Sequence, residues 1–346
     1  MKVVIATHGF LPNIGGVSTN VSILAKGFVA AGHDVCVVSL SPGPTEGYGH
    51  KVIRRPMPWV LFKLYREADL LILSNLAIKL IYPLLVLRRS FALRHHSESA
   101  FRLSKSPFSI DVIRRAVLPR AKHFMTSAYI GRKSGFDDFS ITHPFANPEH
   151  ITSDVIIPIG ARKNAVFVGR LEPEKGILWL LDRWEHIRGI LGADRLRVIG
   201  NGSLTDEIAR RVATGAVKHV DHVGHMQRAE TAREMGQAMY SIVPSLWEEP
   251  FGAVGLESLA AGTVTVHTDR GGLPETTGGM GISFDPDDQG GVDEAMHKAR
   301  ALYEQRASSP EFEATYMANV ANFTAKFRPE VVVQKIISVM SADGHI

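Results

Sequence analysis

Ser245-Leu-Trp-Glu248-Glu249-Pro250-Phe251-Gly252-Ala253-Val-Gly-Leu-Glu257-Ser-Leu-Ala-Ala-Gly262 is the stretch from which the rest of the chain is read. The apolar run Ser241-Ile-Val-Pro244 just before it reads as a short buried strand, and the proline and glycine of residues 248–252 mark a turn. Val254, Leu256, Leu259 and Ala260 then have the spacing of a helix that begins near Gly252. The first amides of such a helix are unpaired donors, and helix starts attract anions and polar ligand groups. Glu249 falls in the loop ahead of the helix and Glu257 about a turn and a half inside it. Two acceptor-only groups facing one cleft suit a ligand rich in hydroxyls, such as a hexose and a ribose. A solvated acid followed by a helix-surface acid is the other reading of the same two residues.

Further glycine-bearing turns after strands recur on both sides of this segment. Phe167-Val-Gly-Arg170-Leu-Glu-Pro-Glu-Lys175-Gly176 follows a strand and opens a helix, so its arginine and lysine can converge on one diphosphate. Charge-assisted contacts of that kind are worth about 1.5 to 3 kcal/mol each, although an isolated Arg-x4-Lys also fits plain surface charge. Val198-Ile-Gly200-Asn-Gly202 ends a strand with a glycine pair, a device that lets backbone approach a ligand. His222-Val-Gly224-His-Met226 and Gly271-Gly272-Leu-Pro-Glu275 follow later strands.

The amino-terminal half opens with the short buried strand Val3-Val-Ile-Ala and the loop Phe10-Leu-Pro-Asn-Ile-Gly15-Gly16-Val17, followed by a helical pattern ending at Gly32. The next strand, Val35-Cys-Val-Val-Ser, restarts an alternation of strand and helix that argues for a parallel sheet. A full G-x-G-x-x-G is absent, which counts against a dehydrogenase. Ser90-Phe-Ala-Leu-Arg-His95-His96-Ser97-Glu98 reads as a strand whose carboxyl end, where α/β sheets bind ligands, delivers two histidines.

Taken together and in this order, these segments resemble the retaining glycosyltransferases of family 4, with E-x7-E at Glu249 and Glu257 as the signature. The likeness covers nearly the whole carboxy-terminal half, and the amino-terminal loops match least. It implies an α/β GT-B fold, two Rossmann-like domains whose parallel sheets face a central cleft. By that resemblance Glu249 would contact the donor sugar hydroxyls and Glu257 the ribose hydroxyls. Phe251 and Gly252 would offer backbone amides to the donor, with Ala253 beside them. Arg170 and Lys175 would neutralise the diphosphate, Gly200 and Gly202 would line the donor site, and the loop at Met226 would border the base. The loop of Gly15 and Gly16 would lie against the donor phosphate and the acceptor. The alignment favours His96 as the sugar-contacting histidine, with His95 left open because a shift of one residue swaps the faces of a strand.

Length suits two domains. We expect residues 1–150 to form the acceptor domain and 151–326 the donor domain, with a terminal helix over about 327–346 crossing back to the first. Prolines and polar residues between Thr142 and Gly160 mark the boundary and a hinge. The single cysteine, Cys36, excludes a disulfide framework, fits a reducing cytosol and suits core packing. The chain starts with too short an apolar run for a signal peptide, so a cytoplasmic location is expected. Leu70–Leu87 approaches transmembrane length, but Asn75, Lys79 and Pro83 interrupt it, and a buried strand over Leu70–Leu73 followed by a core-facing helix accounts for it better.

Charge is uneven. The first 150 residues carry 19 Lys and Arg against 9 Asp and Glu, or +10, and the remainder 20 against 26, or −6. Arg88, Arg89, Arg94, Arg102, Lys105, Arg114, Arg115, Arg120, Lys122, Arg132 and Lys133 make the amino-terminal half basic. Such a field fits peripheral contact with an anionic membrane or a phosphate-linked acceptor, and equally a solvated face that aids solubility. Nucleic acid is not expected, because the basic residues lack interleaved aromatics and a reader motif.

The activity implied is retaining transfer of a hexose-type sugar, from a UDP- or GDP-sugar donor, to a hydroxyl acceptor in a glycan, glycolipid or small metabolite. The diphosphate clamp makes a metal cofactor unnecessary, and Asp285-Pro-Asp287-Asp288 reads as a solvated turn rather than a D-x-D metal motif. Epimerisation or phosphorolysis on the same scaffold, and a binding protein without turnover, are the alternatives.

Overall fold

A computed structural model describes residues 1–13, 15–98, 101, 103, 104, 106, 108–143, 151, 155–342 and 344. The chain divides into two units, Met1–Phe145 with Phe327–Ile346, and Ala146–Lys326. The first unit holds β1 (Lys2–Thr7), β2 (Asp34–Ser39), β3 (Lys51–Arg54), β4 (Leu70–Ser74), β5 (Phe91–His95), β6 (Ala121–Met125) and β7 (Ser140–Ile141). They form one sheet in the order β3-β2-β1-β4-β5-β6-β7, with every pairing parallel. Parallel strands need long crossovers, which place helices on both faces, and strands buried on both faces read as continuous apolar runs. Leu70-Leu-Ile-Leu of β4 is such a run, fully buried.

On one face of this sheet, the helix Gly16–Ala30 packs with the terminal helix Pro329–Ala342, so that Leu24 and Phe28 share a core with Val333, Ile336 and Met340. Gly27 makes that approach possible: a Cβ there would lie 3.1 Å from Pro329 Cβ. On the opposite face Leu61, Tyr65, Leu80, Ile81, Leu84 and Val117 come from the helices Pro58–Glu67, Ile78–Ile81, Pro83–Leu87 and Asp111–Val117. The apolar stretch 70–87 is thus β4 followed by two short helices instead of one, because Pro83 starts a new helix at its first position. Among the described residues no helix is long and apolar enough to cross a membrane.

Several basic residues of the first unit also have structural tasks. Arg89 donates to the carbonyls of Tyr65, Ala68 and Asp69, and Arg120 to that of Leu84 at 2.7 Å. Arg94 is buried and donates to Asn20 Oδ1, Arg114 serves Leu76 O and Asp111, and Lys122 pairs with Asp138 at 2.9 Å. Side chains that the sequence counts as free charge are therefore tying helices and strands together. Arg102 and Lys105 lie outside the described residues.

The second unit holds β8 (Asn164–Val168), β9 (Leu196–Ile199), β10 (Val220–Gly224), β11 (Ala238–Val243), β12 (Val264–Thr268) and β13 (Ile282–Phe284), parallel throughout in the order β10-β9-β8-β11-β12-β13. Trp184, Leu180, Ile187 and Met296 fill its core from the helices Ile177–Leu191 and Gln289–Ser308. Both units are Rossmann-like. In each, strand order reverses direction once, at β1/β4 and at β8/β11, and ligands of open α/β sheets bind beyond the carboxyl ends of strands at such a point.

Ile336→Ala should cost about 2 to 5 kcal/mol, the range for emptying a buried isoleucine site, read as a lower urea midpoint for the whole chain. A cost within experimental error would mean that the terminal helix is dispensable to the first unit's core.

Candidate functional site

The loops after β8 and β11 flank the reversal point of the second sheet, and they carry Lys175 and Glu249. Lys175 Nζ lies 2.5 Å from Glu249 Oε1. That carboxylate is only 6% exposed, and Ser245 Oγ donates to the same oxygen at 2.8 Å. A buried carboxylate is costly unless paired and hydrogen-bonded, and here both conditions are met at one oxygen. Oε2 makes no hydrogen bond to any described residue. It is the free acceptor of the pair. The Lys175 ammonium also sits 5.1 Å from the centre of the Trp247 ring, whose electron-rich face suits a cation.

Backbone contacts hold this geometry. Leu246 N donates to Glu174 O at 2.9 Å, and Ser245 Oγ reaches the same carbonyl at 3.3 Å, so the two loops are laced side by side. Gly176 ends the lysine turn with φ +72°, and a Cβ there would fall 1.8 Å from Pro244 O. No other residue fits. On the far side, Gly272 N donates to Glu249 O at 2.7 Å, and a Cβ on Gly271 would lie 2.3 Å from that same carbonyl. The Gly271-Gly272-Leu-Pro-Glu275 loop therefore braces the acid. Phe251 is buried, and Gly252 precedes the helix Ala253–Ala260 with Leu273 packed where its Cβ would be.

Arg170 stands apart from this cluster. Its side chain is 63% exposed and pairs with Glu174 at 3.3 Å. Each cation of Arg-x4-Lys is thus tied to its own carboxylate. Glu257 lies in the helix Ala253–Ala260 with partial solvent access, and burial pushes its carboxyl up to about 7, against an opposing pull from the Arg228 charge. Arg228 starts the helix that follows Met226, and Met226 itself packs against the cluster that holds Ile199 and Met235.

Gly200 and Gly202 have a reason in the chain itself. Gly200 has φ +138° and a Cβ there would lie 1.8 Å from Gly169 O, while one on Gly202 would lie 2.4 Å from Leu171 O. Leu171 N donates to Asn201 O at 3.0 Å, closing the loop after β8 onto the loop after β9. Here the glycines let protein backbone approach protein backbone. Gly15 and Gly16 differ: nothing lies within 4 Å of a Cβ at either, and Gly15 is extended at φ −172°. Neither packing nor conformation in the described residues demands glycine there.

In the first unit the two histidines part company. His95 is fully buried, its Nε2 is 2.9 Å from His123 Nδ1, and burial and the His123 charge lower its pKa to about 3. His123 stacks on Phe136 with ring centres 3.8 Å apart. His96 is the first residue after the strand. Its buried Nε2 has no hydrogen-bond partner among the described residues, and burial, with the charges of Arg94 and His95, keeps the ring neutral far below its usual range. Asp285 and Asp287 of the acidic run both bind Arg270, at 3.0 and 2.6 Å. One guanidinium thus bridges the two carboxylates.

Ser245, Trp247 and Glu174 were missed by reading the sequence. Ser245, four residues before Glu249, carries no motif of its own, and only the lacing of two loops gives it a task.

Residues 162–303 match the family model described as glycosyl transferases group 1. Among curated relatives, a glycogen synthase of Mycobacterium tuberculosis is 29% identical over 179 residues, 48% of this chain and 43% of that protein. A phosphatidyl-myo-inositol mannosyltransferase of Mycobacterium leprae is 34% identical over 108 residues, 31% of this chain and 28% of that one. The chain therefore spans less than half the length of these relatives. Among solved structures, Anabaena Alr3699/HepE in complex with UDP is similar over 99% of this chain and 100% of that one, with a TM-score of 0.75 at 17% identity. That likeness shows a shared fold.

The raised carboxyl of Glu257 gives a pH prediction. The folded chain keeps this proton up to about pH 7, whereas a free glutamate side chain loses it near 4.5. Stability from this group is fully present below 4.5 and is lost as pH rises through 7. Glu257→Gln should remove that loss, so its advantage in thermal unfolding should grow with pH and reach on the order of 1 to 3 kcal/mol at the alkaline end. An advantage that does not change with pH would show that the group is not shifted.

Proposed function

From a chain with the GT-B fold whose residues 162–303 match the glycosyl transferases group 1 family model, we propose retaining transfer of a hexose-type sugar. The donor is a nucleotide-diphosphate sugar, a UDP- or GDP-sugar, and the acceptor is a hydroxyl of a glycan, glycolipid or small metabolite. The observation that carries this reading is the Lys175–Glu249 pair at the β8/β11 reversal point, with Oε2 of Glu249 left as an acceptor. The Anabaena neighbour holds UDP and UDP-glucose, which supports a donor of this class.

In this mechanism Oε2 of Glu249 accepts from a donor sugar hydroxyl while Lys175 and Arg170 turn toward the diphosphate. The bond from the anomeric carbon to the phosphate oxygen breaks, the acceptor oxygen bonds to that carbon on the same face, and the acceptor proton passes to the departing phosphate. Such a reaction needs positioning and charge neutralisation more than an enzymatic base. Glu257 takes the ribose hydroxyls, and a carboxyl near 7 gains its charge more readily once a hydroxyl donates to it. His96 binds a sugar hydroxyl as a neutral imidazole, for which its unpartnered Nε2 is suited. Gly15 and Gly16 admit phosphate or acceptor close to the backbone. No step in this scheme uses a divalent metal.

The test begins with thermal shifts of the protein in chelator with UDP, GDP, ADP and dTDP. One nucleotide at a hundred times its dissociation constant should add about 2.7 kcal/mol of stability. Arg170→Ala suits this test because the side chain is 63% exposed and its loss should leave the fold intact. That variant should lose most of the shift and about 10² to 10³ in kcat, the cost of one charge-stabilising donor. A wild type stabilised by none of the four would sink the donor assignment. A His96→Ala variant with normal turnover would remove that residue from the site.

A further inference from the structure

The first unit carries a surface that the transferase reading does not use. Among the described residues, seven of the twelve exposed large apolar side chains fall between Met57 and Val112. They lie in or beside the helices Pro58–Glu67, Pro83–Leu87 and Asp111–Val117, which pack side by side over one face of the sheet. Trp59 is 67% exposed, Val86 71%, Phe108 98% and Ile110 58%. Leu61 and Tyr65 point the other way, into the core. These apolar side chains are therefore surplus to the fold, and their concentration on one layer of packed helices points to an interaction site.

Cations are interleaved with these side chains. Trp59, Lys63 and Arg66 follow the i, i+4, i+7 spacing of one helical stripe, and Lys63, Arg66, Lys79 and Arg88 are all exposed. Lys63 keeps its side chain 71% exposed, with Glu67 no nearer than 4.0 Å. The acids of these helices are Glu67 and Asp111, and Asp111 is buried against Arg114. Apolar side chains including a tryptophan, set among lysines and arginines, match the interface of an anionic bilayer: aromatic and aliphatic groups enter the headgroup boundary while the cations meet phosphate. A second copy of this chain fits poorly, since a two-fold contact would set these cations against themselves.

We propose that this helical layer docks the protein on an anionic lipid surface, through Trp59, Val86 and Phe108 together with Lys63, Arg66, Lys79 and Arg88. The docking does not depend on the sugar-transfer reading. It differs from a general attraction of a basic domain, because it needs the apolar side chains and only these cations.

Flotation with phosphatidylcholine vesicles, with and without about a third phosphatidylglycerol, tests it on the full chain. The protein should float with the anionic vesicles, and high salt should release it in part. Trp59→Ser combined with Val86→Ser should weaken binding about tenfold or more, and each of Lys63→Gln and Lys79→Gln about fivefold. Lys133→Gln, exposed on another helix of the same unit, should leave binding unchanged. Unchanged melting curves verify that the variants fold. The proposal is overturned if the anionic vesicles bind no protein, if the serine variant binds like wild type, or if Lys133→Gln weakens binding as much as Lys63→Gln. It is also overturned if light scattering shows a dimer that the serine variant dissolves, since the layer would then join two copies.

Discussion

An ammonium 2.5 Å from a carboxylate that is 6% exposed requires two loops, 74 positions apart at the charged residues, to be pressed together with almost no play. Burying such a pair is unfavourable unless geometry and additional hydrogen bonds compensate, and the surroundings of Glu249 are organised to provide both. Ser245 supplies the second donor, Gly176 lets the lysine turn touch Pro244 O, and Gly271 and Gly272 bring a third loop against the acid's backbone. Each follows a different strand, so the pair exists only because β8, β11 and β12 are neighbours in one parallel sheet. Contacts between the loops fix the backbone of this site within the folded chain, and it is the Lys175 and Arg170 side chains that turn in the proposed reaction.

Glycines in this chain fall into two physical groups. Gly176, Gly200 and Gly271 occupy places where a methyl group would collide with another loop's carbonyl. Their presence follows from close packing of backbone against backbone, with no ligand involved. Among the described residues nothing lies within 4 Å of a Cβ on Gly15 or Gly16, and no packing there calls for glycine. Glycine costs conformational entropy on folding, and the open space at this pair is what the proposed approach of phosphate or acceptor to the loop would use.

The first unit shows the same division between residues that serve the fold and residues left over. Arg89, Arg94, Arg114 and Arg120 are consumed in joining helices to strands, and His95 is locked to His123. What remains unspent is His96 with a buried, unpartnered nitrogen, and a helical layer that turns Trp59, Val86 and Phe108 to solvent among lysines and arginines. Groups of that kind carry free energy that folding does not use, and they are therefore the groups available to ligands and surfaces.

Much of the fold was legible in the sequence because its signals are local. Apolar runs such as Val3–Ala6 and Leu70–Leu73 lie within strands, and the turn at residues 248–252 does precede a helix, since strand burial and helix periodicity are properties of a few consecutive residues. The break at Pro83 was visible as a proline but not as two helices, because backbone packing decides whether a proline kinks a helix or starts one. The candidate site was legible as a set of residue types at the ends of strands. Which partner each one takes was not. Strand order put Lys175 on Glu249, the turn after β8 put Arg170 on Glu174, and the neighbouring strand β6 gave His95 its partner His123 while His96 Nε2 found none among the described residues. Spacing along a chain determines which residues share a face, whereas pairing across a sheet depends on contacts between distant segments that only the folded structure brings together.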